Sequence, residues 1–553
     1  MVHLTRKKRN GKVYLYLEER AWINGKSRRL WQKYLGNEDK LREMSISFSP
    51  KKVEYKKMEF GPSAALLQVA KKINLIEVID QVAGKKREQN LSLGEYILIN
   101  VINRCISPRS KTQLGKWFEQ DYLSTVFEID SEVLNAQTYW NHFQRLTEQN
   151  IALIETQLIK SVIETYQLDL SCLLFDPTNF YTYIEEHGEQ HLAKFGHSKE
   201  ARSNLRIINL SILCTLQFGV PVFHQTYEGN VQDSKHFKTV LTTITERFQQ
   251  MKQELKEIVL IFDKGNHSPK AFQSIDTTPI PFIASLRNST QKELFILPEK
   301  DLTVITLPSN KKKIGYYRTQ RTIYGQPRTV YLLHDFRKQK RSTHIFEANL
   351  NKRLLAIDQF LTRLNVKKWR SKEKVEAKLQ QLIGKKPYSK VLFPRVTGSF
   401  GRLKVTIQVN EVAKVAYLTT LGRSVIFTSQ ADWPPEAVIQ AFRDKYVVED
   451  TFKQLKNPKF LAIRPMYHWV DICIRAHVFS CVLGLLLLAL VRLELRQKRH
   501  SLSYNQILTT LSELRLTQIY TSATGPPIYK LNRSSSLAQQ FYKLLKLKRF
   551  LPE

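Results

Sequence analysis

Two short apolar runs, each closed by an aspartate, constrain this chain more than any other feature: LDLSCLLFD, ending at Asp176, and EIVLIFD, ending at Asp263. Neither run alternates apolar with polar residues, so a strand built from either one buries both faces. Such strands need a sheet with helices on two sides, and the sequence between them supplies the parts. Arg206 to Asn230 reads as two strands meeting at Gly219-Val220-Pro221, and SKHFKTVLTTITERFQQMKQEL then shows helical apolar spacing. The predicted order is three strands, a helix and a fourth strand, with an acid at the polar end of the first and the fourth.

A third carboxylate lies far downstream, in AFRDKYVVEDTFKQLK, Ala441 to Lys456. Phe442, Lys445, Glu449 and Lys456 fall at helical steps, which stacks them along one side of a single predicted helix. Asp432 is placed to cap it, Pro434 and Pro435 suit its first turn, Glu436 favours the positive end of its dipole, and Asn457-Pro458 ends it. A glutamate between two lysines is ordinarily part of a solvated helix face. Together with Asp176 and Asp263, however, Glu449 completes three carboxylates from three separated segments, which is what a two-metal phosphoryl-transfer site requires.

On these residues the chain resembles the DDE-type insertion-sequence transposases whose last acidic residue lies in a signature of Tyr, Arg, Glu and Lys, with two, three and six residues between them. Here the signature reads Phe442, Lys445, Glu449, Lys456, with the spacing intact and two substitutions. Phe keeps the ring and loses the hydroxyl; Lys keeps the charge and loses the bidentate fork. Other landmarks follow in order: D-x-T-N at Asp176 to Asn179, Gly229-Asn230, and D-K-G-N at Asp263 to Asn266. The resemblance implies an α/β fold with a ribonuclease-H-like catalytic core, a mixed five-stranded sheet with helices, interrupted by a large β-rich insertion. It implies an enzyme that cuts DNA at the ends of its own mobile element and joins them to a target. Asp176, Asp263 and Glu449 would be the catalytic residues and the ligands of two Mg²⁺ ions, with Mn²⁺ able to substitute. Phe442, Lys445 and Lys456 would contact DNA, and Lys199 and Arg202 would belong to a basic loop near the active site; a solvated loop is the plain alternative for the last two. The partners implied are double-stranded DNA, both terminal inverted repeats and target, and a second copy of the chain in a homodimer on paired ends. Two other readings fit the same residues: a metal-dependent nuclease that cuts without joining, and a catalytically inactive DNA-binding derivative of a mobile element.

Charge agrees with a polyanionic partner. Lys and Arg number 86 against 50 Asp and Glu, a formal net charge of +36 spread along much of the 553 residues. The apolar run Val478 to Val491 is 14 residues long, short of the roughly 20 needed to cross a bilayer, so it is expected to be a core helix, with no membrane partner. Cys105, Cys172, Cys214, Cys473 and Cys481 form no C-x-x-C pair and sit mostly in apolar runs, as buried thiols of a reducing cytoplasm do. The expected location is cytoplasmic and nucleoid-associated, of bacterial type.

The expected organisation is a basic β ribbon (1–60), a helical, DNA-end-binding domain (61–165), the first part of the core (166–290), the β-rich insertion (291–430), the second part of the core with the glutamate helix (431–500) and a C-terminal tail (501–553). Asn10-Gly11 and Asn24-Gly25 are two-residue hairpin turns between alternating segments of the ribbon, whose aromatics either pack a core or grip DNA. Ser92 and Glu95 form a capping box before YILINVINRCI. The basic turn Ser107 to Phe118 fits a helix-turn-helix that reads the element's ends, though a plain helical bundle supporting the core is the reading it favours.

Overall fold

The computed structural model describes residues 2–23, 25–47, 54–84, 91–185, 191–251, 253–287, 290–308, 311–464, 466, 468–498, 500–520 and 526–552. They form two units: Met1–Ala64, Phe118–Glu128 and Asn505–Glu553 make one, and Ala65–Trp117 with Ile129–Tyr504 make the other.

The first unit begins with an antiparallel meander of β1 (Val2–Arg9), β2 (Lys12–Ile23) and β3 (Lys26–Asn37). Asn10 and Gly11 both have positive φ, 47° and 78°, as the first expected turn requires. In the second turn Gly25 also has positive φ, while Asn24 lies outside the described residues. Tyr34 packs against Tyr14 and Tyr16 on one face, whereas Trp22 is 79% exposed. β4 (Glu54–Glu59) follows.

In the second unit the helix Leu93–Ile106 starts at the expected capping box, Ser92 N–H donating to Glu95 Oε2 at 2.6 Å and Glu95 N–H to Ser92 Oγ at 3.3 Å. It packs against the helices Leu75–Ala83 and Asp471–Gln497. The latter is longer than the apolar run predicts, 27 residues, and by length and composition could cross a membrane; 89% of its most apolar window is buried inside the protein. Gly484 permits its close crossing, since a Cβ there would meet Leu461 Cδ2 at 2.6 Å and Cys105 Sγ at 3.0 Å.

The sheet of this unit starts with β5 (Cys172–Thr182), β6 (Arg206–Thr215) and β7 (Pro221–Glu228), an antiparallel meander. The helix Asp233–Gln250 then leads to β8 (Val259–Phe262), parallel to β5, and the helix Pro269–Asp276 to β9 (Phe282–Ser285), parallel to β8. The interior strands β5, β6 and β8 are almost wholly buried, as continuous apolar runs demand.

Beyond β9 the structure departs from the expected five strands and separate insertion. β10 (Thr303–Thr306), β11 (Lys313–Ile323) and β12 (Gln326–Asp335) do not form a domain of their own. A lobe follows: the helices Phe336–Leu361 and Lys372–Ile383, the hairpin of β13 (Leu392–Thr397) and β14 (Lys404–Val409), and the helix Glu411–Thr420. Its core includes Phe346, Leu350, Ile357, Val375, Leu379 and Val391, so it is mixed rather than β-rich. The chain returns in β15 (Arg423–Thr428), which pairs with β12 on one side and β9 on the other. The result is one nine-stranded mixed sheet in the order β10-β11-β12-β15-β9-β8-β5-β6-β7. The inserted strands cover the β9 edge, whose backbone groups would otherwise stand unpaired.

The first unit is completed by β16 (Arg515–Tyr520), which pairs with β4 and with β17 (Ile528–Leu531), and by the helix Ser536–Leu544.

Candidate active site

β5 and β8 run parallel with Phe175 opposite Phe262, so Asp176 and Asp263 hold the next position on two neighbouring strands. At Asp263 the strand ends. Its Oδ1 accepts from Lys264 N–H at 2.8 Å, starting a single 3-10 turn over Lys264–Asn266, and also accepts from the hydroxyl of Ser285 at the end of β9.

Glu449 arrives on a helix shorter than expected. The segment Ala441 to Lys456 is two helices, Pro435–Arg443 and Tyr446–Leu455, broken at Asp444 and Lys445. Gln440 Nε2 donates to both carboxylate oxygens of Asp444 at 2.9 and 2.8 Å, and three-residue backbone bonds at Lys445, Val447 and Val448 close the corner. Tightened turns of this kind re-aim the chain. Phe442 is therefore buried on the first helix, while Glu449 is exposed on the second, and the four signature residues do not share one face. The first helix starts at Pro434 with no side-chain cap, so Asp432 does not serve as one.

The corner delivers Lys445. Its Nζ lies 3.1 Å from Asp263 Oδ2 and 4.9 Å from the centroid of the Phe442 ring. Asp176, Asp263, Lys445 and Glu449 line one small cleft whose walls are Leu174, Phe175, Ile261, Phe262 and Val448.

The two aspartates differ electrostatically. Burial pushes the Asp176 carboxyl up to about 7; Asp263 and Asp233 add to this, and Lys199 and Lys445 oppose it. Burial acts upward on Asp263 too, but there the Lys445 ammonium and the hydrogen bonds from Ser285 and Lys264 N–H prevail and hold it down to about 2.

Around the cleft, Asn179 of the D-x-T-N landmark clamps the basic loop, accepting from Lys199 N–H at 3.0 Å and donating to His197 O at 2.9 Å. Lys199 Nζ donates to Pro177 O and lies 3.3 Å from Asp233 Oδ2. Arg202 is exposed, its guanidinium 5.7 Å from the Tyr181 ring. Lys456 pairs with Glu200 Oε1 at 3.0 Å. Lys445 thus enters the cleft and Lys199 stands near Asp176, while Lys456 and Arg202 engage the loop and its neighbours. Gly229 lets two backbones meet here, because a Cβ would lie 2.0 Å from Ile207 O.

Two residues of the site escape the sequence reading. Asp233, at the start of the helix after β7, accepts from Tyr227 OH at 3.0 Å and adds negative charge near Asp176. Ser285 closes the apolar run of β9 just as the two aspartates close theirs, which is the signal that marks it.

Among the described residues no three His, Cys, Asp or Glu side chains form a ready metal cluster. The donors at the cleft nevertheless suit a hard cation: all are carboxylate oxygens, Asp263 raises the pKa of Asp176, and the nearest positive charge is a lysine amine. A divalent ion would be held by Asp176, Asp263 and Glu449, with Lys445 displaced from Asp263.

The family described as "Transposase DDE domain" matches residues 167–467, a stretch that contains all three carboxylates. No curated protein matches the chain. Among solved structures it is similar to the cryo-EM structure of the piggyBac transposase synaptic complex with hairpin DNA, with a TM-score of 0.38 and 8% sequence identity over 90% of this chain and 88% of that one.

Proposed function

The chain belongs to the DDE transposase family, and from that premise we propose that it cuts DNA at the ends of an insertion sequence and transfers those ends into target DNA. The observation that carries the proposal is the convergence of Asp176, Asp263 and Glu449 on one cleft from two adjacent parallel strands and a helix. Strand order supports a ribonuclease-H-like core: β7-β6-β5-β8-β9, the first three antiparallel and the last two parallel to β5. The signature spacing supports membership of the group with the Tyr, Arg, Glu and Lys motif.

In this reading the three carboxylates would hold two Mg²⁺ ions, or Mn²⁺, which would supply Lewis acidity for phosphoryl transfer. The chain's own groups do the rest. Asp263 is ionised at neutral pH and offers Oδ2 once Lys445 leaves it. Asp176, buried and raised to about 7, can hold or release a proton near neutral pH. Lys445, once released, is placed to hold a phosphate beside the scissile bond. Water serves in hydrolysis and a 3′-hydroxyl in joining, at the same site. Two ends must be held for joining, so the proposed working form is a homodimer.

The test is cleavage and strand transfer of labelled DNA carrying the native element ends, with Mg²⁺, by wild type, Glu449→Gln and Asp263→Asn. Both products should vanish in each variant while DNA binding persists. Cutting without joining by wild type would favour a nuclease, and binding without cutting an inactive derivative.

A further inference from the structure

A cavity far roomier than the carboxylate cleft lies elsewhere in the second unit. It has a volume of about 750 Å³ and lies past the end of the helix that carries Glu449, where Pro458 forms part of its wall. Arg104, Arg109, Lys111, Arg464, His468 and His477 line it, and no described aspartate or glutamate does. Arg464 is paired with Glu200 outside the lining, but the positive charge on the other side chains is poorly compensated. Arg104 is spent on the neutral carbonyls of Leu461, Ala462 and Arg109, and Lys111 Nζ donates to the amide oxygen of Asn100 among the rings of Tyr139 and Phe143. His477 is 4% exposed and its Nδ1 has no partner among the described residues, although Nε2 reaches Ile463 O at 3.0 Å. Burial, then Arg104, pushes the Lys111 ammonium down to about 7; burial, then Lys111 and Arg104, pushes His468 down to about 3. A cluster of this kind is stabilised by an anion.

We propose that this cavity is a phosphate site, occupied by a phosphodiester of the DNA strand that runs on from the scissile bond. Position selects a strand over a free ion, and in this the inference rests on the transposase reading. Glu449 to Leu455 is about 9 Å along a helix axis, and three residues further on Pro458 stands in the cavity wall, so the cavity follows the carboxylate helix directly along the chain. Glu200 ties the end of that helix to the cavity, taking Lys456 Nζ on Oε1 at 3.0 Å and the Arg464 guanidinium on Oε2 at 2.9 Å. Ser110, Thr112 and Gln113 add neutral donors to the wall, and the half-exposed indole of Trp140 gives the mouth a surface on which any base can stack.

The experiment measures binding of a fluorescent single-stranded oligonucleotide to the full chain at several salt concentrations, for wild type, Arg109→Gln, Lys111→Gln and Thr112→Trp, with thermal melts to verify folding. Each charge removal should weaken binding by about fivefold or more and lower the salt slope by about one. Thr112→Trp narrows the cavity without changing charge, and should weaken binding with the slope unchanged; it keeps the test decisive if Lys111→Gln does not fold. Wild-type affinity and slope in Arg109→Gln and Thr112→Trp would overturn the proposal. The melts are repeated with inorganic phosphate, and loss of its stabilisation in the variants with oligonucleotide binding intact would overturn the strand as occupant and leave a free-phosphate site. Wild-type cleavage is scored in parallel: absent cleavage with intact, cavity-dependent binding counts against the transposase reading alone.

Discussion

Lys445 Nζ stands 3.1 Å from Asp263 Oδ2, so a cation of the protein itself occupies one of the carboxylates that would bind metal. Lys445 and an incoming ion therefore compete. Lys445→Gln should tighten Mn²⁺ binding without DNA by about two- to fivefold, since a half-exposed ion pair is worth roughly 0.5–1 kcal/mol, and should slow cleavage. Calorimetric titration measures the first effect; unchanged or weaker Mn²⁺ binding would show that the lysine is no competitor.

Asp176 carries a stability cost at working pH. Its pKa is raised from the ordinary 3.8 to about 7, so the folded state holds the proton more tightly than the unfolded chain does. That contribution is full below pH 3.8 and is lost as pH rises through 7. Asp176→Asn should be inactive yet more stable than wild type at pH 8 without metal, by at most about 4 kcal/mol at roughly 1.4 kcal/mol per unit. Denaturant melts at pH 5 and pH 8 read the difference, which should shrink at the lower pH.

Glu155 ties the helix Glu148–Tyr166 to the sheet and its crossover helix. It meets His224 Nδ1 of β7 at 2.5 Å and the Arg247 guanidinium, all three being largely buried. The His224 ring and the Arg247 guanidinium oppose the upward effect of burial and hold the Glu155 carboxyl below its ordinary range. Glu155→Ala leaves the buried guanidinium and the imidazole without their shared partner and should cost about 3–5 kcal/mol, seen as a lower urea midpoint. A loss under 1 kcal/mol would mean that the network relaxes.

His267 sits edge-on to Phe262, Phe272, Tyr324 and Phe427, with neither ring nitrogen partnered among the described residues. Burial lowers its pKa from 6.5 to about 4. The neutral ring's advantage is therefore complete above pH 6.5 and is lost as pH falls toward 4. His267→Phe should stabilise the fold by about 1–3 kcal/mol through removal of unsatisfied polar atoms, and should flatten the acid limb of the stability profile. Destabilisation at neutral pH would point to an unseen hydrogen-bond partner.

The apolar runs ending at Asp176 and Asp263 were legible because a strand buried on both faces leaves no room for polar residues. Glu449 was legible from spacing, although the helix break beside it was not: the break depends on Gln440 reaching Asp444 and on three-residue bonds that any sequence can adopt. The extension of the sheet was hidden for another reason. Ile426 pairs with Ser285, and nothing in either strand's own residues names a partner so far along the chain. Asp233 and Ser285 carried only the weak signal of an acid at a helix start and a hydroxyl at a strand end.

The lobe between β12 and β15 leaves the sheet and re-enters it at the same rung, for Asp335 N–H donates to Gly422 O at 3.0 Å and His334 pairs with Arg423. Its two ends are thus already closed, as the ends of a plain hairpin would be. A lineage could enlarge, trade or shed everything from 336 to 421 without shifting the register that brings β15 beside β9. Novelty in that lobe and conservation of the chemistry can be inherited separately.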